Sequence, residues 1–262
     1  TPRFTNAKQA SQWISPSTLV LGVHLGDVSR AYPERVLDYH QVVNDDVGGQ
    51  PIVVTWDPVS GVPLVFSRRV NDQSLHFSVS GLLYQSHSLI YDRETQSLWS
   101  PLMGVAIAGP LQGTTLKRVP FTKQPAHAWY SQNPETKFLE PPFPKQIDYR
   151  RSPFAAHWSS PDLPFPVDAK DERFHPKELV LGVSVDGVDR AYLGSVLTKA
   201  GGRIVDVVRG KKIRIEYDTE NASFRWHAPE GLEVTEAYWF AWKAHHPETE
   251  VWDETLSGQF PE

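Results

Sequence analysis

The chain has 262 residues, and its 26 Lys plus Arg against 31 Asp plus Glu give a mild net charge of −5, which sets up no field for nucleic acid or anionic lipid. It has no cysteine, which excludes disulfides, thiolate-bound metal and a cysteine nucleophile. Twelve Phe, nine Trp and nine Tyr beside 22 Pro and 17 Gly predict a mainly β, β-rich α+β fold of short antiparallel strands and hairpins with a few short helices.

The opening TPRFTNAKQASQWI spaces Ala7, Ala10, Trp13 and Ile14 at helical intervals behind Asn6, a cap residue, so a short amphipathic helix is expected there. The chain begins Thr1-Pro2 without Met and has no apolar run long enough to span a membrane, which fits a processed mature protein or a recombinant start. Then comes LVLGVHLGDVSRAYPERVL at 19–37, which returns as LVLGVSVDGVDRAYLGSVL at 179–197. Both copies read as a hairpin, turned at Gly26-Asp27 and at Asp186-Gly187, with Pro33 closing the second strand of the first.

The order that follows is also shared. PERVLDYHQVVND reads as a short helix running into a strand, then PIVVTWDP and GVPLVFSRRV as strands, and GSVLTKAGGRIVDVV, KKIRIEYD and ASFRWHA repeat that sequence. Asp57 thus falls opposite Asp218, and Ala200 near the place of His40. Two tails correspond as well, AWYSQNPET at 128–136 and AWKAHHPET at 241–249.

The halves differ in length between these landmarks. The predicted organisation is a first half over 1–140 carrying an inserted β segment at about 70–117, whose strands are broken at Gly81, Gly104 and Gly109. A linker rich in Pro and aromatics at 141–177 is expected to lie extended on the surface, and its rings could dock a neighbouring protein; a shorter degenerate half fills 178–262.

Three stretches could carry chemistry. HQVVNDD offers His40, Asn44 and Asp45, an imidazole and carboxylates in one short element, suited to a divalent ion or to proton transfer, although a capped turn reads the same way. TWDPVSG sets Asp57 and Ser60 at a strand end, where Asp-Pro and Ser-Gly are also ordinary turn formers. SHSLIYDRETQSLW gathers His87, Tyr91, Asp92, Arg93, Glu94 and Trp99, an anion-binding Arg beside an acid and an aromatic wall, or a charged hairpin turn. The motifs HExxH, GxSxG, GxxxxGK[ST] and GxGxxG are absent, and SVSGLL around Ser80 is a distant echo of a nucleophile elbow.

Taken together, GVHLGDVSRAYPERVLDYHQVVND, GGQPIVVTWDPVSGVPLVFSR, LHFSVSGLLYQSHSLIYDRETQSLWSP and GVAIAGPLQG resemble the bacterial and archaeal family DUF3179, over roughly residues 4–140. That resemblance implies an extracytoplasmic, periplasmic or secreted, setting. It also implies a Cys where Asp57 stands and at times another at Ser60, beside His40, a soft-metal or redox arrangement this cysteine-free chain departs from. The expected function is a binding or accessory module for a small-molecule or protein ligand, with a cleft formed by His40, Asn44, Asp45, Asp57, Ser60, Arg68, Ser80, Tyr91, Asp92 and Arg93. The alternatives are a metal-dependent enzyme with His40 and Asp57 as ligands of a divalent metal, and a structural subunit of a larger assembly.

Overall fold

A computed structural model describes residues 1–168 and 171–253; the last nine positions of the predicted second half lie outside them. The protein is mostly β, with small sheets and a few short helices. It divides into two compact units, one of Thr1–Val59 with Pro63–Ser159, the other of Ser60–Val62 with the chain from Ser160 onward.

The first unit opens with β1 (Phe4–Thr5) and α1 (Ala7–Ala10), whose first turn is capped by Asn6 accepting the Gln9 N–H at 2.9 Å. The hairpin follows as β2 (Leu19–Leu25) and β3 (Val28–Pro33), then α2 (Glu34–His40), and then β4 (Val42–Val47), β5 (Gln50–Asp57) and β6 (Val62–Ser67), which form a three-stranded sheet. The inserted segment supplies a two-stranded ladder, β7 (Arg69–Val70) with β8 (Gln73–Ser74). It also supplies β9 (Phe77–Tyr84), β10 (His87–Asp92), β11 (Leu98–Ser100) and β12 (Val105–Ala108), a four-stranded sheet with β9 at its edge. β13 (Thr122–Pro125), α3 (Ala126–Gln132), β14 (Lys137–Leu139) and α4 (Ala155–Ser159) complete the unit.

β9 is not broken at Gly81. It runs through that residue as a bulge, with the register to β10 shifting between Ser88 and Ile90, and glycine supplies the positive φ of 77° that the bulge needs. Of the segment expected to lie extended on the surface after residue 140, Ala155–Ser159 form α4, where Trp158 Nε1 donates to the Pro58 carbonyl at 2.8 Å.

The second unit repeats the scaffold with β15 (Leu179–Val185), β16 (Val188–Leu193), α5 (Gly194–Lys199), β17 (Arg203–Val208), β18 (Lys211–Asp218), β19 (Ser223–His227), β20 (Glu233–Tyr238), α6 (Trp239–His245) and β21 (Glu250–Val251). Its sheet order β20-β15-β16-β21 matches β13-β2-β3-β14, including the parallel pairing of the last strand: Phe138 lies against Ala31, and Val251 against Ala191. In both units the tail motif folds alike, with Trp129 Nε1 donating to Thr136 Oγ1 and Trp242 Nε1 to Thr249 Oγ1, each at 2.9 Å. Apolar residues of the hairpin, helix and following sheet make the core of each unit, around Tyr32, Leu37, Val54 and Trp56 in one and Tyr192, Leu197, Ile215 and Trp252 in the other.

Candidate functional site

The repeat is an internal control: a contact made in both units serves the scaffold, and one made only in the first calls for another reason. Asp45 is of the first kind. It accepts the Tyr32 hydroxyl at 2.7 Å with Arg30 at 3.8 Å, and Asp206 accepts Tyr192 at 2.7 Å with Arg190 at 2.9 Å. Burial, with the carboxylate next to it, pushes both phenols well above the ordinary tyrosine range.

Asn44 and Arg68 tie backbone to backbone. The Asn44 carboxamide accepts from the Phe77 N–H and donates to the Phe77 carbonyl, both at 2.8 Å, which fastens β4 to the insert. Buried Arg68 donates to three main-chain carbonyls, of Ile52, Leu75 and Asp45.

Within the insert, Ser80 donates its hydroxyl to the Leu89 carbonyl at 2.6 Å. Asp92, fully buried, takes the Thr95 N–H and hydroxyl and the Trp99 indole N–H, a turn-holding role. Half-buried Tyr91 pairs with Ser78 and Leu98, exposed Arg93 donates to Ser78 Oγ at 2.9 Å, and Glu94 binds His76. Asp92, Arg93 and Glu94 therefore look to three different partners.

His40 ends α2, where Gln41 leaves the helical conformation. Its Nε2 lies 2.6 Å from the Tyr149 hydroxyl, and its ring packs against Phe143, so residues from beyond position 140 close over it. Burial lowers the His40 pKa and raises that of Tyr149. No hydrogen bond or ion pair joins His40 to Asp57 among the described residues: His40 bonds to Tyr149, and Asp57 to His87. Among those residues no group of three or more His, Asp or Glu side chains is placed to hold a metal ion.

Asp57 meets His87 instead. The carboxylate Oδ2 sits 3.0 Å from His87 Nδ1 and accepts the Ser88 N–H at 2.9 Å, while Oδ1 accepts the Val59 N–H at 3.1 Å; both side chains are 3% exposed. Asp218, its counterpart, repeats only the turn, through the Glu220 and Asn221 N–H groups, and stays half-buried. Its pKa is lowered by those hydrogen bonds, the Asn221 side chain first. The imidazole and the Ser88 contact are thus what the first unit adds at this position.

Beside the pair lies a recess of about 10 Å³, room for one water, walled by Thr55, Trp56, Val79, Ile90 and Pro101. Val79 at its rim is 46% exposed, and the apolar surface continues along the hairpin through Leu82, Leu83 and Tyr84. Ser60 belongs elsewhere, buried in the second unit with its carbonyl accepting the Tyr238 N–H at 2.7 Å.

His87 was legible only as part of a charged hairpin, and its link to Asp57 spans 30 positions without a local pattern. Asp38 escaped notice too: it is buried, accepts the Trp56 indole N–H at 2.9 Å, and burial raises its pKa. Its companion Lys123 is buried over the same indole, 5.3 Å from the ring centre.

Among curated proteins and among solved structures, nothing matches this chain significantly. A family model described as a protein of unknown function matches residues 1–231, reaching past the first unit and through most of the second repeat. On that match over most of its length, the chain belongs to the DUF3179 family.

Proposed function

We propose that this protein is an extracytoplasmic binding module whose specific contacts are made by the first unit, at the Asp57–His87 pair and the apolar rim beside it. The support is the difference between Asp57 and Asp218. A carboxylate needed only to hold a turn costs little at a half-exposed position, whereas burying it against an imidazole carries a desolvation penalty that a turn does not require. The exported habit of the resembling family supports the setting.

A second reading rests on the same atoms. A carboxylate held at Nδ1 fixes the tautomer and orientation of an imidazole, the arrangement of a general base, so proton-transfer chemistry at His87 is the enzymatic alternative.

An amide-resolved NMR titration with acetate, phenol and imidazole as probes tests the proposal. At least one probe should shift Thr55, Val79 and Ser88 in the wild type, and do so much less in His87→Phe and Asp57→Asn. Shifts elsewhere only, or equal shifts in both variants, would overturn it.

A further inference from the structure

The three-stranded sheets of the two units correspond row by row. Val42 pairs with Thr55, Asn44 with Val53 and Asp46 with Pro51 across β4 and β5; Arg203 pairs with Glu216, Val205 with Arg214 and Val207 with Lys212 across β17 and β18. Alternation along each strand puts these side chains on the outward face, since Val43, Asp45 and Val47, like Ile204, Asp206 and Val208, turn to the core.

In the first unit that face is occupied. Val53 is fully buried, Thr55 is 5% exposed, and Asn44 is bonded to Phe77 of the insert. The second unit has no insert, and its face is open: Arg214 is exposed, Val205 is 49% exposed, and both line a shallow, open hollow of about 550 Å³.

The exchange of residues is chemical as well as spatial. Arg203, Lys212, Arg214 and Arg225 are four cations against one carboxylate, Glu216, which Arg203 and Arg225 already share at 2.6 and 3.4 Å. His227 lies in the same row as Arg214. Neither Lys212 nor Arg214 makes an ion pair among the described residues, and the whole chain carries a net charge of −5, so this positive face runs against the average.

We propose that the outer face of β17-β18-β19 docks an acidic, extended segment of a partner protein. Charge complementarity selects an anionic occupant and steers its approach. The corresponding face of the first unit selects a polypeptide, because there the cover is a protein strand, β9, held through its main chain by one side chain of the sheet. Carboxylates of the segment would meet Lys212 and Arg214, and its small side chains would lie over Val205. The inference is independent of the recess in the first unit.

The test is fluorescence anisotropy on the full chain with a fluorescein-labelled (Glu-Thr)6 peptide, beside labelled heparin oligosaccharide and a DNA 12-mer at equal salt. The peptide should bind best of the three, and bind more weakly as salt rises. Lys212→Glu with Arg214→Glu should weaken it about tenfold or more. Val205→Glu, which puts a carboxylate in the hollow without removing a cation, should weaken it in the same direction and serves if the double variant fails to fold. Met103→Ser in the first unit, at a residue 50% exposed, should leave it unchanged. No binding of the peptide, equal binding by the folded variants, or a preference for heparin or DNA would overturn the assignment.

Discussion

Trp129 lies flat on Gly22, so close that a Cβ at position 22 would come within 2.3 Å of the indole, and Trp242 lies on Gly182 at the same distance. The two indoles are 4% and 1% exposed and are pinned by their threonines, so neither ring can step aside freely. Gly22→Ala and Gly182→Ala should each destabilise by about 1–3 kcal/mol through overpacking. Urea unfolding of both variants checks this, and an unchanged midpoint in either would mean the ring has somewhere else to go.

The carboxylates beneath the two hairpins should differ in weight. Arg190 reaches Asp206 at 2.9 Å, whereas Arg30 stands 3.8 Å from Asp45. Removing either acid leaves a buried phenol without its acceptor, and removing Asp206 also takes one of the two carboxylates that hold Arg190, the other being Glu250 at 2.7 Å. Asp206→Ala should therefore cost about 1–3 kcal/mol, and Asp45→Ala less, with the order read from chemical denaturation.

Asp57 and Asp218 separate scaffold from site in the same way. Asp218→Ala removes turn hydrogen bonds and should cost about 1 kcal/mol. Asp57→Ala also leaves His87 and the Ser88 N–H without this acceptor and should cost about 3 kcal/mol. Equal losses would place Asp57 with the turn alone.

Two contributions to the pH dependence are opposed. His40 in the fold binds its proton less readily than an ordinary imidazole near 6.5, so the unfolded chain takes up more protons below that value; its contribution to stability is whole above 6.5 and is lost as pH falls toward the folded pKa. Asp38 runs the other way, because its pKa is raised above 3.8: the stability it contributes is present below that value and is lost as pH rises through the folded pKa. His40→Phe should shrink the fall in melting temperature between about pH 7 and about pH 5.5. A fall as steep as in the wild type would assign that window to other groups.

The scaffold was largely legible, since a constant offset of 160 aligned the hairpins and their helices, and the tails AWYSQNPET and AWKAHHPET announced two equivalent Trp anchors. The site was less so, for two physical reasons. Charged residues crowded into HQVVNDD looked like a ligand set, yet Asn44 and Asp45 had been recruited to tie strands and hold a phenol; Asp206 behind a repeated Arg-x-Tyr was the available sign. The pairs found only in the first unit, His40 with Tyr149 and Asp57 with His87, join side chains 109 and 30 positions apart, and no periodicity encodes such meetings.

The carbonyl of Ser60 carries a last consequence. It receives the amide of Tyr238, so three residues from the early part of the gene product are structurally members of the later unit. Cutting the chain at its midpoint would not yield two intact modules: a piece starting at Ser160 would lose the acceptor at the end of β20, and a piece stopping at Ser159 would keep Ser60 without the Tyr238 amide. Anyone seeking to express the repeats apart should supply residues 60–62 to the second, for instance as a graft, and expect the unsupplemented piece to fray first at Tyr238.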